Sequence, residues 1–240
     1  MLRPRIVCHG FASIDGRIRP ERWTAPAIGT RPNVVGLTDR QTLSAMQADG
    51  IITDVDAVAG APGLALGRSC IELPRGVSNH FVRRMERPLC IVHDPAAVLR
   101  SSTNRFEEGQ IVLITSRCAS DGYLEQARLA RMSYVFAGDD GMSLDEAMRS
   151  IQKEYGITLL VIRADGKTNS AFMAAGLVDQ ISVLVFPGLD AISGNRSFFE
   201  TPTTDDVSPA AGKSLLHVST QTLDGGIVWL RYLVEEAIPA

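Results

Sequence analysis

Short apolar runs alternate along the chain with polar segments that carry apolar residues at helical spacing. Arg5 to Cys8 (RIVC) is β-rich and continues through His9, Gly10, Phe11 and Ala12 to a turn at Asp15-Gly16. Leu89 to Val92 and Ile111 to Ile114 are unbroken apolar runs, the pattern of strands covered on both faces. Tyr134 to Ala137 and Thr158 to Ile162 have the same character, and Asp56 to Ala59 reads as a short strand ending in Gly60-Ala61-Pro62-Gly63. Thr38-Asp39-Arg40-Gln41 and Ser143-Leu144-Asp145-Glu146 have the capping-box pattern that opens helices. The first predicts a helix from Thr38, with Leu43, Ala45 and Met46 toward the core and a stop at Gly50. The second continues through Leu144, Ala147, Met148 and Ile151 and ends at Gly156. A less regular helix is predicted from Ser120 to Arg131, with Leu124, Ala127 and Leu129 as its apolar positions.

Strand, helix, strand in repetition predicts right-handed βαβ units on a mostly parallel sheet. The end of the chain changes character. Leu215 to Leu223 alternates, Asp224-Gly225-Gly226 is turn chemistry and Ile227 to Val234 is β-rich, which predicts an antiparallel hairpin. Pro20 to Pro32, with Trp23 as its one large anchor, and Thr201 to Gly212 read as surface loops.

With 45% hydrophobic and 21% charged residues, the 240-residue chain can build a core as one α/β domain over residues 1–240. A net charge of −3 supplies no field to draw in nucleic acid or an anionic membrane, so neither is an expected partner. Cys8, Cys70, Cys90 and Cys118 form no CxxC pair, and the four histidines show no metal-ligand spacing, so no metal site is expected. No apolar leader pattern or membrane-length run is seen, which makes a cytoplasmic location the expectation.

Gly166, Lys167, Thr168 and Asn169 sit where a strand gives way to a helix, a turn whose free N–H groups suit an anion. Thr115, Ser116 and Arg117 end another strand. Ligands gather at such ends in open α/β sheets, so the two turns are candidates for one phosphorylated ligand. A solvated strand-to-helix turn explains Thr115 to Arg117 equally well. Asp15 is open to two readings, an Asx turn or a group facing substrate, and His9 is either a substrate-facing side chain or a core histidine. Trp23 either lines a pocket for a flat heterocycle or anchors its loop.

The segment Leu159 to Phe199 resembles the riboflavin-biosynthesis reductases, the C-terminal domain of bifunctional deaminase-reductases. Asn169, Phe172, Met173, Gly176, Leu177, Val178, Asp179 and Pro187 fall in that family's pattern in register. Ala12-Ser13-Ile14-Asp15-Gly16-Arg17-Ile18 resembles its A-S-x-D-G-[RK]-I, and Asp121 to Leu124 and Tyr134 to Gly138 are similar to one single-domain branch. The resemblance implies a dihydrofolate-reductase-like three-layer fold, with a mostly parallel central sheet and a C-terminal antiparallel hairpin. It also implies a homodimer, NADPH as cofactor and a small-molecule substrate, by default an aminopyrimidine ribosyl phosphate. His9 and Asp15 would then serve catalysis by orienting substrate or relaying a proton. Ser13, Arg17 and Trp23 would bind substrate, and Gly60, Thr115, Ser116, Arg117 and Gly166 to Asn169 the cofactor. The deaminase zinc signature is missing from the sequence.

Two departures fall on cofactor contacts. The family's Glu-Gly-Gly-Gly is Arg163-Ala164-Asp165-Gly166 here, with a carboxylate where a pyrophosphate would lie. After the Asp56 to Ala59 run, Gly60-Ala61-Pro62-Gly63 lacks the family's threonine. Two functions therefore stand side by side: an NAD(P)H-dependent reductase, or a cofactor-free homologue that binds a ligand or acts as a dimeric structural protein.

Overall fold

The computed structural model describes residues 3–24, 33–73, 76–83, 87–201 and 208–237. In chain order the elements begin with β1 (Arg5–Ser13), α1 (Val34–Met46), β2 (Gly50–Asp54), α2 (Val55–Val58) and β3 (Leu64–Leu66). Next come β4 (Leu89–Asp94), β5 (Leu99–Ser101), β6 (Arg105–Phe106), β7 (Gly109–Thr115), α3 (Asp121–Leu129) and β8 (Ser133–Phe136). The remainder is α4 (Leu144–Tyr155), β9 (Leu159–Ile162), α5 (Gly166–Ala174), β10 (Gln180–Phe186), β11 (Lys213–Thr222) and β12 (Val228–Glu236). The chain divides into two compact units, residues 1–5 with 49–161 and residues 6–48 with 162–240.

In the first unit, β2, β4, β7 and β8 pair in parallel, with β9 beside β2 and the short β6 antiparallel to β7. Every residue of β4 is buried, as its unbroken apolar run predicts. Leu124 and Ala127 of α3 pack into a core with Val92, Leu113 and Tyr134, while Leu129 is exposed. Leu144, Ala147, Met148 and Ile151 form the buried stripe of α4, which Gly156 closes at φ 60°. Its capping box locates the helix but is not used as one: Ser143 makes no side-chain cap, and Glu146 turns to Arg117 at 3.2 Å.

Two expectations in this unit are corrected. The strand predicted at Asp56 to Ala59 is Gly50–Asp54, because Asp54 caps α2 by accepting the Ala57 N–H at 2.8 Å and turns the next residues into helix. Gly50 does not stop a helix. It opens β2, where a Cβ would lie 2.7 Å from the Leu89 carbonyl oxygen.

In the second unit β1 runs parallel to β10, β10 antiparallel to β12, and β12 antiparallel to β11, so the predicted hairpin is present. The family-pattern residues serve this framework. Phe172, Met173, Leu177 and Val178 are buried, and Asp179 accepts the Ile6 N–H at 2.7 Å while its carbonyl takes the Val234 N–H at 3.0 Å. The helix predicted from Thr38 begins at Val34, after Asn33 in the left-handed region, because Val34 and Val35 pack on Leu184, Phe186 and Ile227. Its buried residues are Asp39 and Thr42; Leu43 and Met46 are half-buried and Ala45 is exposed. Of the predicted loops, residues 25–32 and 202–207 lie outside the described residues, and Pro20–Arg22 forms a 3₁₀ turn.

Candidate ligand site

The turn after β1, in the second unit, gathers three predicted site residues. Ser13 Oγ donates to Asp15 Oδ1 at 2.6 Å and accepts the Arg17 N–H at 2.9 Å. Asp15 also accepts the N–H groups of Ala191 at 2.8 Å and Asp190 at 3.3 Å. The Ser13 hydroxyl and then the Ala191 N–H favour the charged form and hold the carboxyl down at about 2. Asp15 is therefore an ionised anchor of the following loop at neutral pH and a poor proton donor. In that loop Asn195 Nδ2 donates to both Asp190 carboxylate oxygens, at 2.8 and 2.9 Å, and Arg17 Nη1 donates to the Asn195 carbonyl at 2.7 Å. Arg17 Nε is buried and faces no acceptor among the described residues, and the same holds for Trp23 Nε1. The Trp23 ring packs on Phe11 and Phe186, with centroids 6.0 and 5.6 Å away.

His9 belongs to a separate, buried network and is only 1% exposed. Its Nδ1 lies 3.1 Å from the Ser182 carbonyl and 2.9 Å from Ser182 Oγ, which also accepts the Trp229 indole N–H at 2.8 Å. Its Nε2 lies 3.2 Å from Thr42 Oγ1 and 3.5 Å from Asp39 Oδ1. The other Asp39 oxygen is 2.8 Å from Arg163 Nη2, yet neither oxygen meets a donor in hydrogen-bond alignment, so charge pairing holds the group. Burial pushes the Asp39 carboxyl up, but His9 and Arg163 outweigh it and keep the carboxyl below its ordinary range. Sequence reasoning missed Asp39, Thr42 and Ser182. The one available signal was a polar pair three residues apart in a helix, which looks the same as a solvated face.

At the start of α5, Asp165 is the N-cap: its Oδ1 accepts the Thr168 N–H at 2.9 Å, and its carbonyl accepts the Asn169 N–H at 3.0 Å. Gly166 is covered by the chain itself, since a Cβ there would sit 2.1 Å from the Ser197 carbonyl oxygen. The Glu200 N–H donates to the Gly166 carbonyl at 3.0 Å, and Asn169 Nδ2 to the Phe198 carbonyl at 2.7 Å. Lys167 is exposed.

In the first unit, Thr115 is fully buried and its hydroxyl has no partner among the described residues. Ser116 Oγ donates to the Asp139 carbonyl at 2.6 Å, and Arg117 reaches Glu146 at 3.2 Å and Asp139 at 4.0 Å. Gly60 lies beyond α2 at φ 85°, with its N–H donating to the Leu64 carbonyl at 3.3 Å. The turn that directly follows the strand is Asp54 to Ala57, with a carboxylate at its head. Among the described residues no helix is long and apolar enough to cross a membrane, and no cluster of side chains could hold a metal ion.

The RibD C-terminal domain family model matches residues 4–228. The chain belongs to this family. No curated protein sequence matches it. Among solved structures it is similar to a pyrimidine reductase-like protein from Corynebacterium diphtheriae, with TM-score 0.64 and 14% identity over 97% of this chain and 92% of that one. It is similar to the riboflavin biosynthesis reductase Rib7 of Saccharomyces cerevisiae, with TM-score 0.53 and 10% identity over 98% and 91%. It is also similar to Acinetobacter baumannii RibD, with TM-score 0.59 and 19% identity, covering 97% of this chain and 58% of that one. The chain thus spans a little over half the length of that RibD. These matches fix the mixed α/β, dihydrofolate-reductase-like fold expected from the sequence.

A nicotinamide dinucleotide is the cofactor that membership in the RibD C-terminal domain family suggests, and the residues present test it poorly. Asp165 and Asp54 each occupy a helix N-terminus with their own carboxylates. Arg163 is drawn to Asp39, and Arg117 to Glu146 and Asp139. These turns do not fit a pyrophosphate.

Proposed function

We propose that the chain recognises a small heterocycle bearing a ribosyl phosphate, the substrate class its family resemblance implies, through the turn after β1 and the loop bonded to it. The supporting observation is the pair of buried donors without acceptors among the described residues, Arg17 Nε and Trp23 Nε1. A buried donor left unpaired costs about 1–3 kcal/mol, so a ligand oxygen reaching either one recovers a sizeable contribution. The Arg17 guanidinium is already oriented by the Asn195 carbonyl, and its Nε–H suits a phosphate oxygen. The Trp23 indole, seated among Phe11 and Phe186, suits a flat ring with a carbonyl at its edge. Asp15 keeps the turn rigid in its ionised form, and a homodimer in solution is part of the same proposal.

Calorimetric titration with an aminopyrimidine ribosyl phosphate tests this reading. Saturable binding is expected, weakened on the order of tenfold or more by Arg17→Ala, the scale of one charge-assisted hydrogen bond. Trp23→Phe keeps the ring, removes the N–H, and is expected to weaken binding about fivefold. No heat from the unmodified protein would overturn it. A second reading, a cofactor-free homologue, is favoured by the aspartate caps of α2 and α5.

A further inference from the structure

We infer that this chain does not hold a nicotinamide dinucleotide by its pyrophosphate, because its own carboxylates occupy the helix N-termini where such a group binds. A helix N-terminus offers free N–H groups and a partial positive charge, and it favours one anion. In this protein that anion belongs to the chain. Asp54 caps α2 and Asp165 caps α5, each taking the backbone N–H three residues on. At α3 Ser120 caps and Asp121 follows, and α4 carries Asp145 and Glu146 in its first turn. Every one of these four strand-to-helix junctions therefore has an acidic residue on it.

The bases near these junctions are already paired with the chain's own acids: Arg196 lies 4.0 Å from Asp165, and Arg149 pairs with Asp145. Arg117, beside α4, is engaged by Glu146 and Asp139, and Arg163, two residues before the α5 cap, by buried Asp39. Lys167 adds one exposed charge to the first turn of α5. An incoming diphosphate at α5 meets the Thr168 N–H already taken and a like charge at contact distance. In water, one such contact weakens binding by roughly sixfold.

The test is calorimetric titration of the full chain with NADPH and, separately, with inorganic pyrophosphate. The protein as it stands should show no saturable binding up to about 1 mM of either probe. The variant Asp165→Asn removes the charge at α5 and keeps a residue that caps as well as aspartate. It should melt like the parent and bind both probes roughly sixfold more tightly. If it folds poorly, Asp165→Ser, a neutral cap of equal rank, should gain the same roughly sixfold. The inference is overturned if the unmodified protein binds NADPH at micromolar concentration, or if the well-folded Asp165 variants gain nothing. It fails separately from the proposed function: NADPH binding sinks the present inference, whereas failure to bind the aminopyrimidine ligand sinks the reading of Arg17 and Trp23.

Discussion

The two units have different interiors. In the first, the buried positions are filled mainly by side chains such as Val92, Leu113, Leu124, Ile111 and Tyr134, with polar groups such as Asp54, His93 and Asp94 at strand ends. In the second, polar side chains lie within the buried layer itself: His9, Ser182, Asp39, Thr42 and Asn169. An apolar interior tolerates exchange of one hydrophobe for another of similar volume. A polar interior depends on each partner, because removing one strands the others away from water.

The largest effect should come from breaking the polar interior. Asp39→Ala leaves His9 buried beside an uncompensated Arg163 and is expected to cost about 3 kcal/mol, the low end for a buried pair because Arg163 can return to water. Urea denaturation measures it. Leu113→Ala in the apolar interior should cost slightly less, about 2.5 kcal/mol, by the same measurement. If Asp39→Ala proved milder than Leu113→Ala, the contrast between the interiors would be a matter of composition and not of stability.

Smaller effects sharpen the picture at the caps. Asp165→Ala should lose about 1 kcal/mol, and Asp165→Asn almost none, since asparagine caps as well. In acid, Asp39 and Asp15 both have folded values below that of the unfolded chain, about 3.9. The unfolded state therefore binds more protons as pH falls. The stability each carboxylate contributes is complete above its unfolded value and is lost as pH drops through its folded value. Melting temperature followed from about pH 5 to pH 2 should show a shallower acid limb for Asp39→Asn and a barely altered one for Asp15→Asn, whose carboxylate is exposed.

What could be read from the sequence follows the same division. The runs at Leu89, Ile111, Tyr134 and Thr158 announce buried parallel strands because burial on both faces leaves no polar position to blur them. The α4 stripe was equally plain. The capping-box pattern puts the start of α1 too late because its anchors, Val34 and Val35, lie before the capping-box residues, and tertiary packing outranks a local cap. The sequence pattern puts β2 too far along the chain because Asp54 is a strand end and a helix cap at once, and a pattern of apolar residues cannot show which role a carboxylate takes. Within the candidate site, the contacts among Ser13, Asp15 and Arg17 can be anticipated because the three share one turn. The His9, Asp39 and Ser182 network was hidden because its members lie far apart in sequence and meet only through the fold.

The glycine at position 166 has a wider meaning. Its missing side chain makes room for the carbonyl of Ser197, a group of the same chain that stays whether or not any ligand arrives. Packing alone therefore requires glycine here, whatever residues precede it. Glycine at such a position reports the shape of the backbone around it and not the presence of a ligand.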